Sequence, residues 1–138
     1  MAGAEVSNLT ALISFIFNKT VKETTEQLRD VDFYQLVYDG EWTLDKFYEL
    51  LKYAAHDDGD TVMTVGTDDI FGLVSSDFGI RGLYFGAGQS YVTKTDKADG
   101  TTEFSHSFNQ AAVEATNKII DIYGFAGTTV TDYIKVEA

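Results

Sequence analysis

The stretch Thr43-Leu-Asp-Lys-Phe-Tyr-Glu-Leu-Leu-Lys-Tyr-Ala-Ala-His56 shows the clearest periodicity in the 138-residue chain. Thr43 is a residue type that caps helix N-termini, and Asp45 falls in the first turn, where the helix dipole stabilises an acidic side chain. Apolar residues recur at helical spacing and share one face: Leu44, Phe47, Tyr48, Leu51, Ala54 and Ala55. The stretch therefore predicts an amphipathic helix that follows Thr43 and runs to about His56.

This predicted helix lies inside a strongly acidic region, residues 30–78. The region contains twelve acidic residues and two lysines, which gives a net charge of −10. Residues 1–29 contain three acids and three bases, and residues 79–138 contain seven acids and five bases, so their net charges are 0 and −2. The front of the acidic region is also rich in aromatic residues: Phe33, Tyr34, Tyr38, Trp42, Phe47, Tyr48 and Tyr53.

Two segments before this helix also have helical features. Residues 5–17 carry apolar side chains on nearly all sides of a helical wheel, which predicts a helix that is buried or joined to a partner chain. Leu9, Ile13 and Ile16 are the candidate assembly residues of that helix. The segment Asp30–Tyr38 predicts one or two further helical turns.

The period changes after the acidic loop His56–Asp60. Short apolar runs separated by glycine and aspartate turns predict three strands, at Val62–Val65, Ile70–Val74 and Ile80–Phe85. Two largely polar arms then predict a hairpin that projects from the body: Ser90–Thr95 and Thr101–Phe108, on either side of the loop Asp96–Gly100.

The C-terminal part combines a helix with a strand. Asn109 predicts a helix N-cap, and the helical pattern runs through Tyr123 to a stop at Gly124. Alternation from Thr128 to Val136 predicts a last strand. The expected fold class is α+β, in a single domain over residues 1–138: N-terminal helices, then a mainly antiparallel sheet with one late helix and a C-terminal strand.

Composition excludes several classes of protein. The chain has no run of eighteen apolar residues and no basic region ahead of its first apolar run, which predicts neither a membrane span nor a signal peptide. We therefore expect a cytoplasmic or virion location. It has no cysteine, so it forms no disulfide. The net charge of −12 argues against direct binding to nucleic acid or to an anionic membrane surface, and permits a basic protein partner.

No catalytic constellation stands out from the sequence. There is no glycine-flanked serine elbow, and the two histidines are His56 and His106. His106 shares a predicted strand face with Phe104 and Phe108, which favours a packed structural histidine. The 22 acidic residues allow many carboxylate pairs without selecting one. We therefore expect a non-enzymatic protein.

Two loops contain residue types that bind metals or cofactors. His56-Asp-Asp-Gly-Asp60 lacks the alternating acids and the later glutamate of a calcium loop, because residue 65 is valine. Gly86-Ala-Gly88 lacks the third glycine and the following helix of a dinucleotide turn. The sequence predicts no metal site and no cofactor.

The acidic and aromatic region remains the candidate functional surface. One interpretation is a solvated acidic face over an aromatic core; the other is a partner-binding surface, since aromatic residues enrich interfaces and charge of one sign steers association. Its candidate residues are Asp39, Glu41, Trp42, Asp45, Glu49, Asp57, Asp58 and Asp60.

The leading hypothesis is an interaction or assembly subunit, as in a virus- or phage-type structural protein that binds copies of itself. The alternative is an acidic inhibitor that imitates nucleic acid and binds a basic DNA- or RNA-binding protein. A small enzyme that uses carboxylates is a third, weaker hypothesis.

Overall fold

A computed structural model describes residues 13–130, and within that range it shows helices and strands in an α+β arrangement, as expected. The helices are α1 Lys19–Thr24, α2 Glu26–Arg29, α3 Phe33–Tyr38, α4 Leu44–Ala54, α5 Asp77–Gly86 and α6 Gln110–Gly124. The strands are β1 Leu73–Ser75, β2 Val92–Asp96, β3 Thr102–His106 and β4 Thr128–Val130. No helix of this range is both long and apolar enough to cross a membrane.

Helices α4 and α6 form the centre of the fold, with α5 packed beside α6. The buried core cluster joins all three helices and consists of Phe47, Leu51, Leu83, Ile119 and Ile122. Ile122 is fully buried. At the surface, the Lys118 ammonium of α6 pairs with the Asp45 carboxylate of α4 and links the two helices across the outside of the core.

Local capping explains the helices that the sequence predicted correctly. The Thr43 hydroxyl accepts a hydrogen bond from the Lys46 amide at 3.2 Å, and the Asn109 side chain accepts one from the Ala112 amide at 2.9 Å. These bonds satisfy amides that have no partner inside the helix. The helix predicted to reach His56 ends at Ala54, and the short helix predicted within Asp30–Tyr38 is α3.

The strands form two separate pairs. Strands β2 and β3 form the predicted antiparallel hairpin, with Val92 opposite His106 and Asp96 opposite Thr102. Strand β4, the described part of the predicted C-terminal strand, pairs in parallel with β1, Leu73 opposite Thr128. The rest of that predicted strand, residues 131–136, lies outside the described residues.

The strand predicted at Ile80–Phe85 is wrong, because these residues belong to helix α5. Two glycines of α5, Gly79 and Gly82, lie where neighbours come close to the helix. A Cβ on Gly79 would lie 2.7 Å from the Tyr123 hydroxyl of α6, and one on Gly82 would lie 2.6 Å from the Ile13 side chain. Packing against distant segments therefore overrides the strand preference of the local sequence.

Two other predicted strands are also incorrect in whole or in part. Val62–Val65 is irregular loop, and the segment Ile70–Val74 contains an isolated antiparallel bridge from Ile70 to His56 and then strand β1, which begins at Leu73. The loop is irregular because carboxylates within it bind its own amides; the Val62 amide, for example, donates to Asp60 at 2.8 Å. Such bonds compete with the regular pairing of a strand.

The helix predicted over residues 5–17 is wrong in its described part, because residues 13–18 are not helical. Asn18 explains the boundary. Its side chain accepts hydrogen bonds from the amides of Thr20 and Val21, at 2.9 and 3.3 Å, and so starts α1 at Lys19. Residues 5–12 of that prediction lie outside the described residues.

Candidate interaction groove

Five aromatic rings from three segments form a continuous cluster. Phe15 packs on Phe47 with centroids 4.8 Å apart, and Phe17 packs on Phe33 at 4.9 Å. Trp42 joins the two pairs, at 5.8 Å from Phe15 and 6.1 Å from Phe33. These tilted and edge-on arrangements are favourable for aromatic pairs and hold the N-terminal segment against α3 and α4.

Beside this cluster lies an open groove with a volume of about 490 Å³. One wall comes from residues 15–18, α1, α2 and α3, and the other comes from α4 and residues 70–74. The lining is mostly aromatic and aliphatic. This volume and lining are those of binding clefts in proteins.

The rim of the groove is unusually exposed for apolar side chains. Ile16 is 95% exposed, Tyr34 68% and Val37 57%. Their neighbours in the groove include Trp42, the single tryptophan of the chain. Exposed apolar side chains that adjoin an apolar groove make a contiguous patch, which is typical of interaction sites.

Among the described residues that line the groove, Lys22 is the one charged side chain. Its ammonium donates to the carbonyl of Arg29 at 2.8 Å and lies 5.7 Å from the centre of the Phe33 ring. The groove itself is therefore not acidic, although the protein as a whole carries a net charge of −12.

A close backbone approach forms the far wall. A Cβ on Gly72 would lie 3.0 Å from the carbonyl carbon of Leu51 and 3.3 Å from its Cα, and closer still to the carbonyl oxygen. The Gly72 amide donates to the carbonyl of Gly127 at 2.8 Å. Glycine at this position lets the chain pass directly over the end of α4 before β1.

The structure brings together only part of the predicted site. Ile16 and Trp42, assigned from sequence to an assembly helix and to the acidic surface, line the same groove. Ile13 is about half exposed and rests on α5 at Gly82, away from the groove lining. Leu9 lies outside the described residues. Val37 and Gly72 also line the groove but were not among the candidate residues, because their role depends on contacts between distant segments.

The acidic candidates around α3 and α4 have local partners. Asp39 accepts a hydrogen bond from the Gln35 amide side chain at 2.8 Å, and Asp45 pairs with Lys118. Glu49 accepts from Lys46 at 2.9 Å, and this bond raises the pKa of the Lys46 ammonium. Glu41 is exposed.

The acidic candidates in the loop after α4 organise that loop. Asp57 accepts from the amides of Gly59 and Thr61, at 2.8 and 3.0 Å, and Asp58 accepts from Asp60 at 3.3 Å. Single carboxylate oxygens of Asp57, Asp58 and Asp60 lie within 4.8 Å of one another. Clusters of this kind are common on acidic surfaces, and the hydrogen bonds within the loop account for the arrangement.

Asp69, which the sequence analysis did not select, closes the same loop. It accepts hydrogen bonds from the Thr64 amide at 2.6 Å and the Asp58 amide at 2.7 Å, and these bonds lower the pKa of its carboxyl group. Bonds to the charged form stabilise that form, which explains the direction. Asp69 therefore holds together a loop that was predicted to contain a strand.

The β2–β3 hairpin projects from the body, as predicted. Every residue of both strands is exposed. The prediction that His106 is a packed structural histidine is wrong, because His106 and its neighbours Phe104 and Phe108 all face solvent. Near the hairpin tip, a hydrogen bond from the Thr102 hydroxyl, and then one from Lys94, lower the pKa of Asp96.

Comparison of the chain with protein-family models, with curated proteins and with solved structures finds no match.

Proposed function

We propose that this protein is a non-enzymatic interaction or assembly subunit that binds an apolar segment of a protein partner in the aromatic groove. The observation that supports this proposal is the groove of about 490 Å³ together with its exposed apolar rim. Binding of a partner would remove the side chains of Ile16, Tyr34 and Val37 from water. Burial of apolar surface of this kind is the main favourable term in protein association.

The positions of the acidic side chains fit this proposal. Asp45, Glu49 and Asp57 each take part in a bond to a neighbouring group of the same chain. These carboxylates have roles in local structure that need no partner. We propose that the partner is a second copy of the chain, as in a virus- or phage-type structural subunit.

One observation favours the alternative, an acidic inhibitor of a basic nucleic-acid-binding protein. Asp39, Glu41, Asp45, Asp58 and Asp60 are all exposed, in spite of their local bonds. Exposed carboxylates steer a basic partner through long-range attraction. The two candidate functions differ in their dependence on salt, because repulsion between like charges and attraction between opposite charges are both screened.

A pair of matched variants tests the groove. Val37→Asp adds one negative charge at the groove rim, and Val62→Asp adds the same charge at a valine of equal exposure, 58% against 57%, that does not line the groove. Native mass measurement is made of the wild type and of both variants, alone and with lysate from the source of the protein. The wild type and Val62→Asp should show a bound species, and Val37→Asp should not.

Far-UV circular dichroism checks that both variants are folded. Emission from Trp42 gives a second readout, since covering the groove changes the surroundings of the single tryptophan. The proposal is wrong if the wild-type protein binds neither itself nor another protein, or if Val37→Asp retains all that the wild type binds.

A further inference from the structure

We infer that the groove of one copy receives the β2–β3 hairpin of a second copy. This inference rests on the proposed function and names its partner. No hairpin residue is among those that line the groove of its own copy. The hairpin and the groove are therefore two separate, unpartnered surfaces in the described part of one chain.

The hairpin has one face suited to this contact. Residues opposite one another in an antiparallel pair point to the same side, so one face carries Val92, Lys94, Asp96, Thr102, Phe104 and His106. On that face Phe104 is 68% exposed and Val92 51%; Phe108, just after β3, is 80% exposed. A two-stranded hairpin alone is only marginally stable in water, so it gains from a partner that covers this face.

The base of the hairpin is fixed to the body. The Tyr91 ring stacks on Tyr84 of α5 with centroids 5.1 Å apart and meets Phe85 at the same distance. The Ser107 amide donates to the carbonyl of Tyr91 at 3.1 Å. These contacts orient the arm in advance, which reduces the entropy that is lost when it binds.

The apolar area that the hairpin can bury limits the strength of the contact. A buried aromatic side chain contributes roughly 150–250 Å². Phe104 and Phe108 together therefore supply less than the roughly 800 Å² that each partner contributes to a standard interface, so the contact is smaller than a standard one. We expect reversible assembly that depends on protein concentration.

Local charge favours the hairpin over the acidic region of a second copy. Residues 90–108 contain three acids and two lysines, a net charge of −1, whereas residues 30–78 carry −10. The groove offers the single cation Lys22. A nearly neutral arm thus meets a groove whose own lining is not acidic, so the repulsion is smaller than between the acidic regions of two copies.

The contact is head to tail, because the arm and the groove are different surfaces of the chain. Such heterologous contacts generate closed rings or open filaments. Each copy bound through its groove still presents a free hairpin, so assembly continues until a ring closes.

Four single variants, each with one added negative charge, test the inference. Phe104→Asp changes the docking face of the hairpin, and Thr95→Asp places the same charge on its opposite face. Val37→Asp changes the groove, and Val62→Asp is its control. We expect Phe104→Asp and Val37→Asp to raise the concentration at the midpoint of assembly about tenfold or more, as loss of a central contact does, with little change for the two controls.

Mixing distinguishes a contact between hairpin and groove from contacts of groove with groove or of hairpin with hairpin. Phe104→Asp keeps an intact groove and Val37→Asp keeps an intact hairpin, so the mixture should form a one-to-one complex of about twice the 15.2 kDa chain mass and nothing larger. Sedimentation velocity measures the mass of this complex and shows whether any larger species forms.

The outcomes separate this inference from the proposed function. If Val37→Asp abolishes binding while Phe104→Asp assembles like the wild type, the groove binds something else and the hairpin inference is wrong. A monomeric wild type, or a mixture that stays monomeric, also overturns the inference. If Val37→Asp does not change any binding, both the proposed function and this inference are wrong.

Discussion

Replacing Gly72 with alanine tests the wall of the groove directly. Gly72 has an ordinary backbone conformation, so the substitution adds a Cβ without the strain of a positive φ. That Cβ would lie 3.0 Å from the carbonyl carbon of Leu51 and 3.3 Å from its Cα. Both neighbours are backbone atoms of α4, which cannot turn away as a flexible side chain can.

The expected cost follows from this geometry. To restore van der Waals contact, residues 70–73 must move off α4 by several tenths of an ångström or more, against the bond from Gly72 to Gly127. Overpacking of this kind costs about 1–3 kcal/mol. For a chain of this length that corresponds to a fall in Tm of roughly 3–15 °C.

Gly86→Ala is the matched control. Nothing lies within 4 Å of a Cβ at Gly86, and the residue ends α5. Alanine there should be neutral or stabilise the fold by about 0.4–1 kcal/mol, because it restricts the unfolded chain. Thermal unfolding followed by circular dichroism, together with Trp42 emission in the folded state, measures both effects. If Gly72→Ala melts at the wild-type temperature with unchanged emission, the chain does not cross α4 as described.

Three further predictions concern the core and the acidic loop. Ile122→Ala should lower the free energy of unfolding in urea by about 2–5 kcal/mol, because the side chain is fully buried; a loss below 1 kcal/mol would contradict the packing of α6. Asp69 has a lowered pKa, so its contribution to stability is complete above the ordinary carboxyl pKa and is lost as pH falls through the lowered value. Hydrogen exchange should therefore show the Thr64 and Asp58 amides losing protection below about pH 4, the ordinary carboxyl range, and Asp69→Ala, which removes both acceptor oxygens, should remove that protection at neutral pH; unchanged exchange would exclude this role. Calorimetric titration with calcium, magnesium and zinc should show at most weak, salt-sensitive binding at His56–Asp60, and a stoichiometric submicromolar site would contradict our interpretation of the loop.

The parts of the fold that the sequence predicts are those that local chemistry determines. Thr43 and Asn109 sit at helix starts because their side chains bond to amides three residues away, and such a signal is visible in the sequence alone. The hairpin also follows from local pattern, with a positive φ of 81° at Gly100 in its loop. Asn18 gives the same capping signal, but the apolar run before it concealed the helix boundary.

The missed elements depend on contacts between distant segments. In α5 the glycines at 79 and 82 lie where Tyr123 and Ile13 come close to the helix, and the local pattern does not show which segments these are. Ser76-Asp77 was the available signal, since an acid in a first turn is typical of a helix start. The groove is a product of the same kind of contact, because Phe15 and Phe47 come from segments 32 residues apart.

Ionic strength separates self-assembly from binding to a basic protein, and the two functions predict opposite signs. Two copies of this chain each carry −12, so their mutual repulsion opposes assembly. Raising the salt from about 0.01 M to 0.15 M shortens the Debye length from about 30 Å to about 8 Å, which removes most of this repulsion while the apolar contact in the groove remains. We therefore expect the midpoint concentration of assembly, measured by sedimentation, to fall over this range. Binding to a basic nucleic-acid-binding protein relies on attraction between opposite charges and should weaken over the same range, chiefly through a slower association rate. Assembly that weakens with salt would contradict the groove as its main contact, because a contact dominated by apolar side chains has no attraction for salt to screen.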